Sequence, residues 1–223
     1  TYKISHISVV EVTDATNIPR IDYTTGEGVV LLEPQSTNII THSEDFSDAS
    51  WVKSNVSFLS NQSISPDGEN NAYKLTNNAV TSTHYVNLQN IVVASGSHYT
   101  FSMFAKKGEN DFITIMLQGT NWNGSSKAAS FNLANGTFDY ADLGLTYKST
   151  AFSNGFYKIE VGNETVGTAV NARIYQSSTV YNVSSYLGDG TSGIYIYGAQ
   201  LEALPYATSY IPTSGAIATR LAD

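Results

Sequence analysis

The sequence predicts an all-β protein, an antiparallel sandwich of two sheets, on three observations. Charged residues make up only 13 % of the 223, about half the share usual in globular domains, and Tyr, Gly, Ser, Thr and Asn fill the space. Apolar and polar residues alternate over short runs bounded by turn residues, the period-2 pattern of half-buried strands. Good helix formers never gather at helical spacing.

Taken in order, Gly28–Leu32 reads as a buried strand ended by Glu33-Pro34, and Asn38–His42 as another. Ser54–Leu59 alternates weakly before the turn Ser65-Pro66-Asp67-Gly68. Thr83–Val93 places Tyr85, Asn87, Gln89 and Ile91 on one face, with His84, Val86, Leu88, Asn90 and Val92 on the other. His98–Lys106 puts Tyr99, Phe101, Met103 and Ala105 together, opposite Thr100, Ser102 and Phe104. Phe112–Leu117 is strongly apolar and stops at Gly119. Ala128–Tyr140 holds Asn135-Gly136 between two alternating segments, a strong hairpin signal. Phe156–Val161 follows a second Asn-Gly pair, Asn154-Gly155, and Ala169–Gln176 and Ile194–Leu201 complete eleven or twelve strands. Polar loops are expected at 61–71, 119–127 and 177–193. No linker divides the middle, so one sandwich is expected over 35–205, with a lead-in over 1–34 and a lead-out over 206–223.

Composition narrows the function. There is no cysteine, which removes disulfide scaffolds, cysteine-ligated metals and thiol catalysis. The formal charge is −8 with no basic stripe, so nucleic acid is not an expected partner. No apolar run reaches the ~18 residues of a membrane span, and membrane insertion is not expected. The chain opens at Thr1, which predicts a mature product or a segment of something longer.

A set of short pieces resembles a lead-in and domain found in bacteriophage structural proteins. It begins with Asn17–Tyr23 and Leu31–Asn38, and continues through Ser43-Glu44-Asp45-Phe46 with Trp51, and Ser65–Gly68. Asn154–Lys158, Gly188–Gly193, Gly198–Glu202 and Thr208–Gly215 follow, closing at Thr219-Arg220. The core strand Tyr99–Lys106 is similar to a central strand of family 4, 9 and 22 carbohydrate-binding modules, with Ile194–Leu201 at the place of their final strand. The resemblance implies a jelly-roll sandwich that binds glycans on a phage tail or head fibre, at a virion surface or otherwise extracellular. It also implies neighbouring domains of a longer chain. Fibres of that kind are often trimeric, so a homo-oligomer is a further implied partner, although no heptad argues for it. Because such sandwiches host many functions, two other readings stand beside it. One is a carbohydrate-binding module of a secreted polysaccharide-degrading enzyme, and the other a ligand-free fibre spacer.

Catalysis is not expected. His6, His42, His84 and His98 form no metal-binding or triad spacing, and the carboxylate pairs Glu44/Asp45 and Glu109/Asp111 fall in turns outside any hydrolase motif. Sugar binding asks instead for flat aromatic faces beside amides and hydroxyls. Asn121-Trp122-Asn123-Gly124 supplies both in one polar loop, and an exposed Trp122 is the expected platform; the competing reading is a loop anchor tucked onto the sandwich. Tyr85, Tyr140 and Tyr175 are further platform candidates, whereas Trp51 is expected to pack. The net charge favours a neutral or weakly cationic polysaccharide. The resemblance also implies a structural calcium ion held by oxygens, for which Glu44, Asp45, Asp67, Glu69 and Glu202 are the candidate ligands. Ser47 stands where the family has Glu. Finally, the apolar run Val29–Leu32 is expected to dock on the sandwich and be buried, with Arg20 and Asp22 pairing across to Arg220 and Asp223.

Overall fold

A computed structural model describes residues 20–22, 28–181 and 183–223. The chain divides into two compact units, residues 36–219 and residues 1–35 with 220–223. Among the described residues there is no helix, and hence none long and apolar enough to cross a membrane.

The smaller unit carries β1 (Arg20–Asp22) and β2 (Val29–Leu31), paired antiparallel with Arg20 opposite Leu31. Val30 and Leu32 are exposed, at 60 % and 72 %, contrary to the burial their apolar character predicts. A ribbon of two short strands cannot cover both of its own faces. Arg220 pairs with Glu33 at 3.2 Å, and the Glu33 amide donates to Asp223 Oδ2 at 3.1 Å. The side chains of Arg20 and Asp22 lie outside the described residues.

The larger unit is the sandwich. It opens with β3 (Ser36–Asn38), β4 (Trp51–Ser54), β5 (Val56–Ser63), β6 (Ala72–Asn77), β7 (Thr81–Ser82) and β8 (Tyr85–Val92). Then come β9 (His98–Lys107), β10 (Phe112–Gln118), β11 (Lys127–Asn132), β12 (Thr137–Ala141) and β13 (Thr146–Ala151). The last are β14 (Tyr157–Glu164), β15 (Ala169–Ser177), β16 (Tyr186–Leu187), β17 (Gly193–Glu202) and β18 (Ala218–Arg220). Two six-stranded sheets result, in the orders β12-β11-β10-β15-β8-β4 and β13-β14-β9-β17-β6-β5. The chain crosses between them at β4–β5, β6–β8, β8–β9, β9–β10, β12–β13, β14–β15 and β15–β17, the winding of a jelly roll. The Thr37 and Thr219 hydroxyls meet at 2.7 Å, at the two ends of this unit.

Alternation places the core where the sequence predicts it. Phe101, Met103 and Ala105 of β9 face Ile113, Ile115 and Leu117 of β10 and Ala172 and Ile174 of β15, all fully or almost fully buried. The Asn135-Gly136 hairpin joins β11 and β12, with Gly136 at φ 81° and its amide bonded to the Asn132 carbonyl at 2.8 Å. A side chain there would also strike Tyr157, whose hydroxyl lies 2.9 Å from the position of a Cβ. Three expectations need correction. Of Asn38–His42, only Asn38 lies in a regular strand, as the last residue of β3, and its side chain bonds the Ala199 and Ile211 carbonyls. In β8 the alternation breaks at Asn90, which sits at φ 54° where the β15 register shifts. That bulge turns Ile91 toward the core and leaves Val92 78 % exposed. Phe104, expected on an outer face, is buried as well. Phe156, Tyr197 and Tyr210 cover it in a small second cluster, because residues 208–213 run back along β17 and bond to Gln200.

Candidate functional site

The inward placement of Val86 and Leu88 in β8, and of Ala172 and Ile174 in β15, forces their neighbours onto the outer face of the first sheet. Tyr85, Asn87, Arg173 and Tyr175 therefore share that face. Cross-strand register aligns them further. Tyr85 lies opposite Tyr175, Tyr175 opposite Thr114, Thr114 opposite Ser130, and Ser130 opposite Tyr140. At about 4.8 Å per strand this row spans roughly 19 Å. A second row runs beside it through Asn87, Arg173, Met116 and Ala128.

Both ends of the long row carry paired aromatic rings. At one end the Tyr85 and Tyr175 rings stand 5.3 Å apart, and the Arg173 guanidinium lies 4.3 Å over the Tyr85 ring. Arg173 Nη1 is 3.5 Å from the Tyr175 hydroxyl. At the other end Tyr140 and Tyr181 stack at 4.0 Å with their planes 17° apart. Tyr181 is held there by its amide, which donates to Ser130 Oγ at 3.1 Å, and its φ is +48°. A bulky residue in that region is strained, and such strain collects at functional sites. The Tyr140 hydroxyl donates to Asp142 at 2.6 Å, and that bond, ahead of burial, raises it above the usual phenol range. Between the ends, Thr114 Oγ1 and Ser130 Oγ are 3.0 Å apart. The face is thus flanked by rings, with Tyr85, Tyr140, Arg173 and Tyr181 half-buried, while Tyr175 and the polar residues between the ends, Asn87, Thr114 and Ser130, are buried.

The residues singled out from sequence separate sharply. Tyr85 and Tyr175 both fall on this face, as the alternation predicts, and the register of β8 with β15 sets them side by side. Trp122 does not: it is fully buried, at 0 %, and the exposed platform is corrected to the anchor. Asn123 at φ 44° and Gly124 at φ 90° turn the loop back, and the indole Nε1 donates to the Asn171 carbonyl at 2.9 Å. Asn121 donates to the Ala169 carbonyl at 2.6 Å, so it fastens the loop to β15, while Asn123 is exposed. Trp51 packs as expected, 4.8 Å from the Phe46 ring and bonded to the His42 carbonyl.

The five candidate calcium ligands do not converge as one set, and among the described residues no three His, Asp or Glu side chains gather as metal ligands. The carboxylates of Glu44, Asp45, Asp67 and Glu202 have protein partners instead. Glu202 is fully buried and accepts from Ser36 Oγ at 2.6 Å, Gln200 Nε2 at 2.5 Å, the Thr208 amide at 2.9 Å and the Thr208 hydroxyl. Asp45 is turned to Ser47 and Tyr73. Glu44 and Asp67 do approach one another, with the Tyr197 hydroxyl 2.9 Å from the first and 2.8 Å from the second. Burial, then these two carboxylates, hold that hydroxyl far above the usual phenol range. Glu69 contributes its amide, which donates to Asp67 Oδ1 at 2.8 Å.

For Asp67, burial raises the carboxyl, but bonds from Ser65, the Glu69 amide, Asn71 and Tyr197 together outweigh it and hold the group at about 2. A depressed carboxyl stabilises the fold above its unfolded value of 3.8 and loses that contribution as pH falls through about 2. Thermal melts of Asp67→Asn between pH 5 and pH 2 should show lower stability at the upper end and a flatter decline than the parent protein. Parallel declines in the two proteins would refute the assignment.

The remaining histidines build no site. His42 lies 3.7 Å from Asp48. His84 is buried between the Asn55 and Tyr186 carbonyls, and His98 stands beside Thr146. His6 falls outside the described residues. Arg173 and Tyr181, which the sequence reading passed over, had different degrees of visibility. Arg173 shares the outward parity of Asn171 and Tyr175 along β15, opposite Val170, Ala172 and Ile174. Tyr181 comes from a loop, and no periodicity could place it.

No protein-family model matches the chain, and a search of curated proteins finds no match. Solved structures do align. One is the enzymatically active domain of bacteriophage CBA120 tailspike protein 4, at 14 % identity and a TM-score of 0.42 over 74 % of this chain. Another is the CBM22-1–GH10 modules of Clostridium thermocellum endo-1,4-beta-D-xylanase 10B, complexed with xylohexaose, at 10 % identity and 0.41 over 82 %. The chain spans 21 % and 30 % of those two proteins.

Proposed function

We propose that this chain is a non-catalytic glycan-binding module of a bacteriophage structural protein, displayed at the virion surface, and that the outer face of the first sheet holds the sugar. The row of Tyr85, Tyr175, Thr114, Ser130 and Tyr140 carries this reading. The half-buried rings at its two ends suit the C–H-rich faces of sugar units, and the half-buried Arg173 guanidinium suits sugar oxygens, while Thr114 and Ser130, buried and bonded to each other, fix the strands between them. The face is long and extended, which fits a chain ligand better than a compact molecule. The sequence resemblance to phage structural proteins supports the setting. Support for a binding rather than a hydrolytic role comes from the carboxylates, since Glu202, Asp45 and Asp67 are each engaged by several protein donors.

The test is a glycan array probed with the full chain, followed by titration of any hit against Tyr85→Ala and Tyr140→Ala. Each substitution should weaken binding about tenfold, the equivalent of one ring contact, while Trp51 and Trp122 fluorescence still reports a folded core. Binding that neither substitution changes would place the ligand elsewhere.

A further inference from the structure

Arg173 is the only Lys, Arg, Asp or Glu in β8, β10 and β15, the three strands that make the middle of this face. It is half-buried, and among the described residues it has no carboxylate partner. Its Nε is buried without a hydrogen-bond partner. Of five N–H donors, one makes a contact, at 3.5 Å with the Tyr175 hydroxyl. The guanidinium cannot shed its charge, and a ring face compensates a cation only in part. Its neighbours in register are Asn87 and Met116, both uncharged. Along that row the first acidic residue is Asp142, whose amide bonds the Ala128 carbonyl. It stands three strands away, about 14 Å, beyond the ~8 Å over which charges interact at physiological salt.

From this placement we infer that the glycan is acidic, and that Arg173 receives a carboxylate of a uronic- or sialic-acid unit. The inference rests on the glycan reading above and reverses the preference for neutral chains that net charge alone suggests. Net charge governs the distant field, which salt screens, whereas a guanidinium in contact is decided locally. The planar fork matches a carboxylate through two parallel N–H···O bonds. The Tyr85 ring packed under the guanidinium restricts its motion, and the buried Tyr175 ring, 5.3 Å away, backs Tyr85 in turn.

The experiment compares oligogalacturonate, oligoglucuronate and sialyl-oligosaccharide probes with their carboxyl-reduced counterparts and with a sulfated neutral chain. Titrations use the unsubstituted chain, Arg173→Gln, Arg173→Lys and Tyr85→Ala. At least one acidic probe should bind the parent protein, and carboxyl reduction should weaken it about 10- to 100-fold, the range for a charge-assisted hydrogen-bond pair. Arg173→Gln should cause a similar loss and become indifferent to carboxyl reduction, with Arg173→Lys falling between. The reduction arm needs no variant, so it stands even if Arg173→Gln folds poorly. Equal binding of the acidic and reduced probes, or preference for the sulfated chain, overturns the inference. If such binding still depends on Tyr85, the glycan reading survives; if no probe of any kind binds, both fail.

Discussion

Replacing Trp122 by alanine should destabilise the protein by about 3–5 kcal/mol, the cost of emptying a buried aromatic site. The indole is fully buried, and its Nε1 bond to Asn171 reaches across 49 residues of sequence. Its removal therefore opens a cavity and leaves a carbonyl at the start of β15 without its partner. At about 2–4 °C per kcal/mol for a domain of this size, a melting temperature lower by roughly 6–20 °C is expected. Glycan binding measured well below that temperature should change little, because Trp122 is not on the ring-flanked face. A variant that melts like the parent but no longer binds would reverse both statements and restore the loop as the platform. Trp122→Phe, which refills most of the volume without the N–H, should recover much of the loss.

The second large effect is expected at Glu202. Its carboxylate gathers Ser36, Gln200 and Thr208 from three separate segments, inside a site with no solvent access. Glu202→Ala would leave several buried donors without an acceptor, at about 1–3 kcal/mol for each one orphaned, so a loss of about 3–5 kcal/mol is reasonable after relaxation. Glu202→Gln keeps the shape but puts an NH₂ against groups that donate, and should fall between. Chemical denaturation read by tryptophan fluorescence would measure both. A Glu202→Ala protein as stable as the parent would mean that the hydroxyls and amides around it find other acceptors.

Local chemistry made much of this fold legible in the sequence. The Asn135-Gly136 turn, the alternation of β9 and the apolar run of β10 each follow from contacts between near neighbours, and each was readable to within a residue or two. The departures arise where a distant group decides. Asn90 carries no local sign that it will adopt a positive φ; the shift against β15 imposes it, and every residue after it changes faces. Trp122 looks exposed among Asn and Gly because its partner, the Asn171 carbonyl, is a backbone atom that no motif advertises. Phe104 is covered by a segment returning from more than a hundred residues away. At the candidate site, Tyr85 and Tyr175 could be placed on faces by parity. That they sit opposite one another was a matter of register, which only the assembled sheet supplies.

The hydroxyl contact between Thr37 and Thr219 has an architectural consequence. A unit whose first and last strands finish side by side presents a host polypeptide with two attachment points only a few ångströms apart, so it can be spliced into an exposed turn without prying that turn open. Nothing in such a host has to stretch to receive it, and the whole sandwich becomes, in effect, one long excursion from a single surface position. Modules built this way can be gained, lost or exchanged between parent proteins while each parent keeps its own fold. The outer face of the first sheet would travel with the module, on a sheet whose register does not depend on the parent.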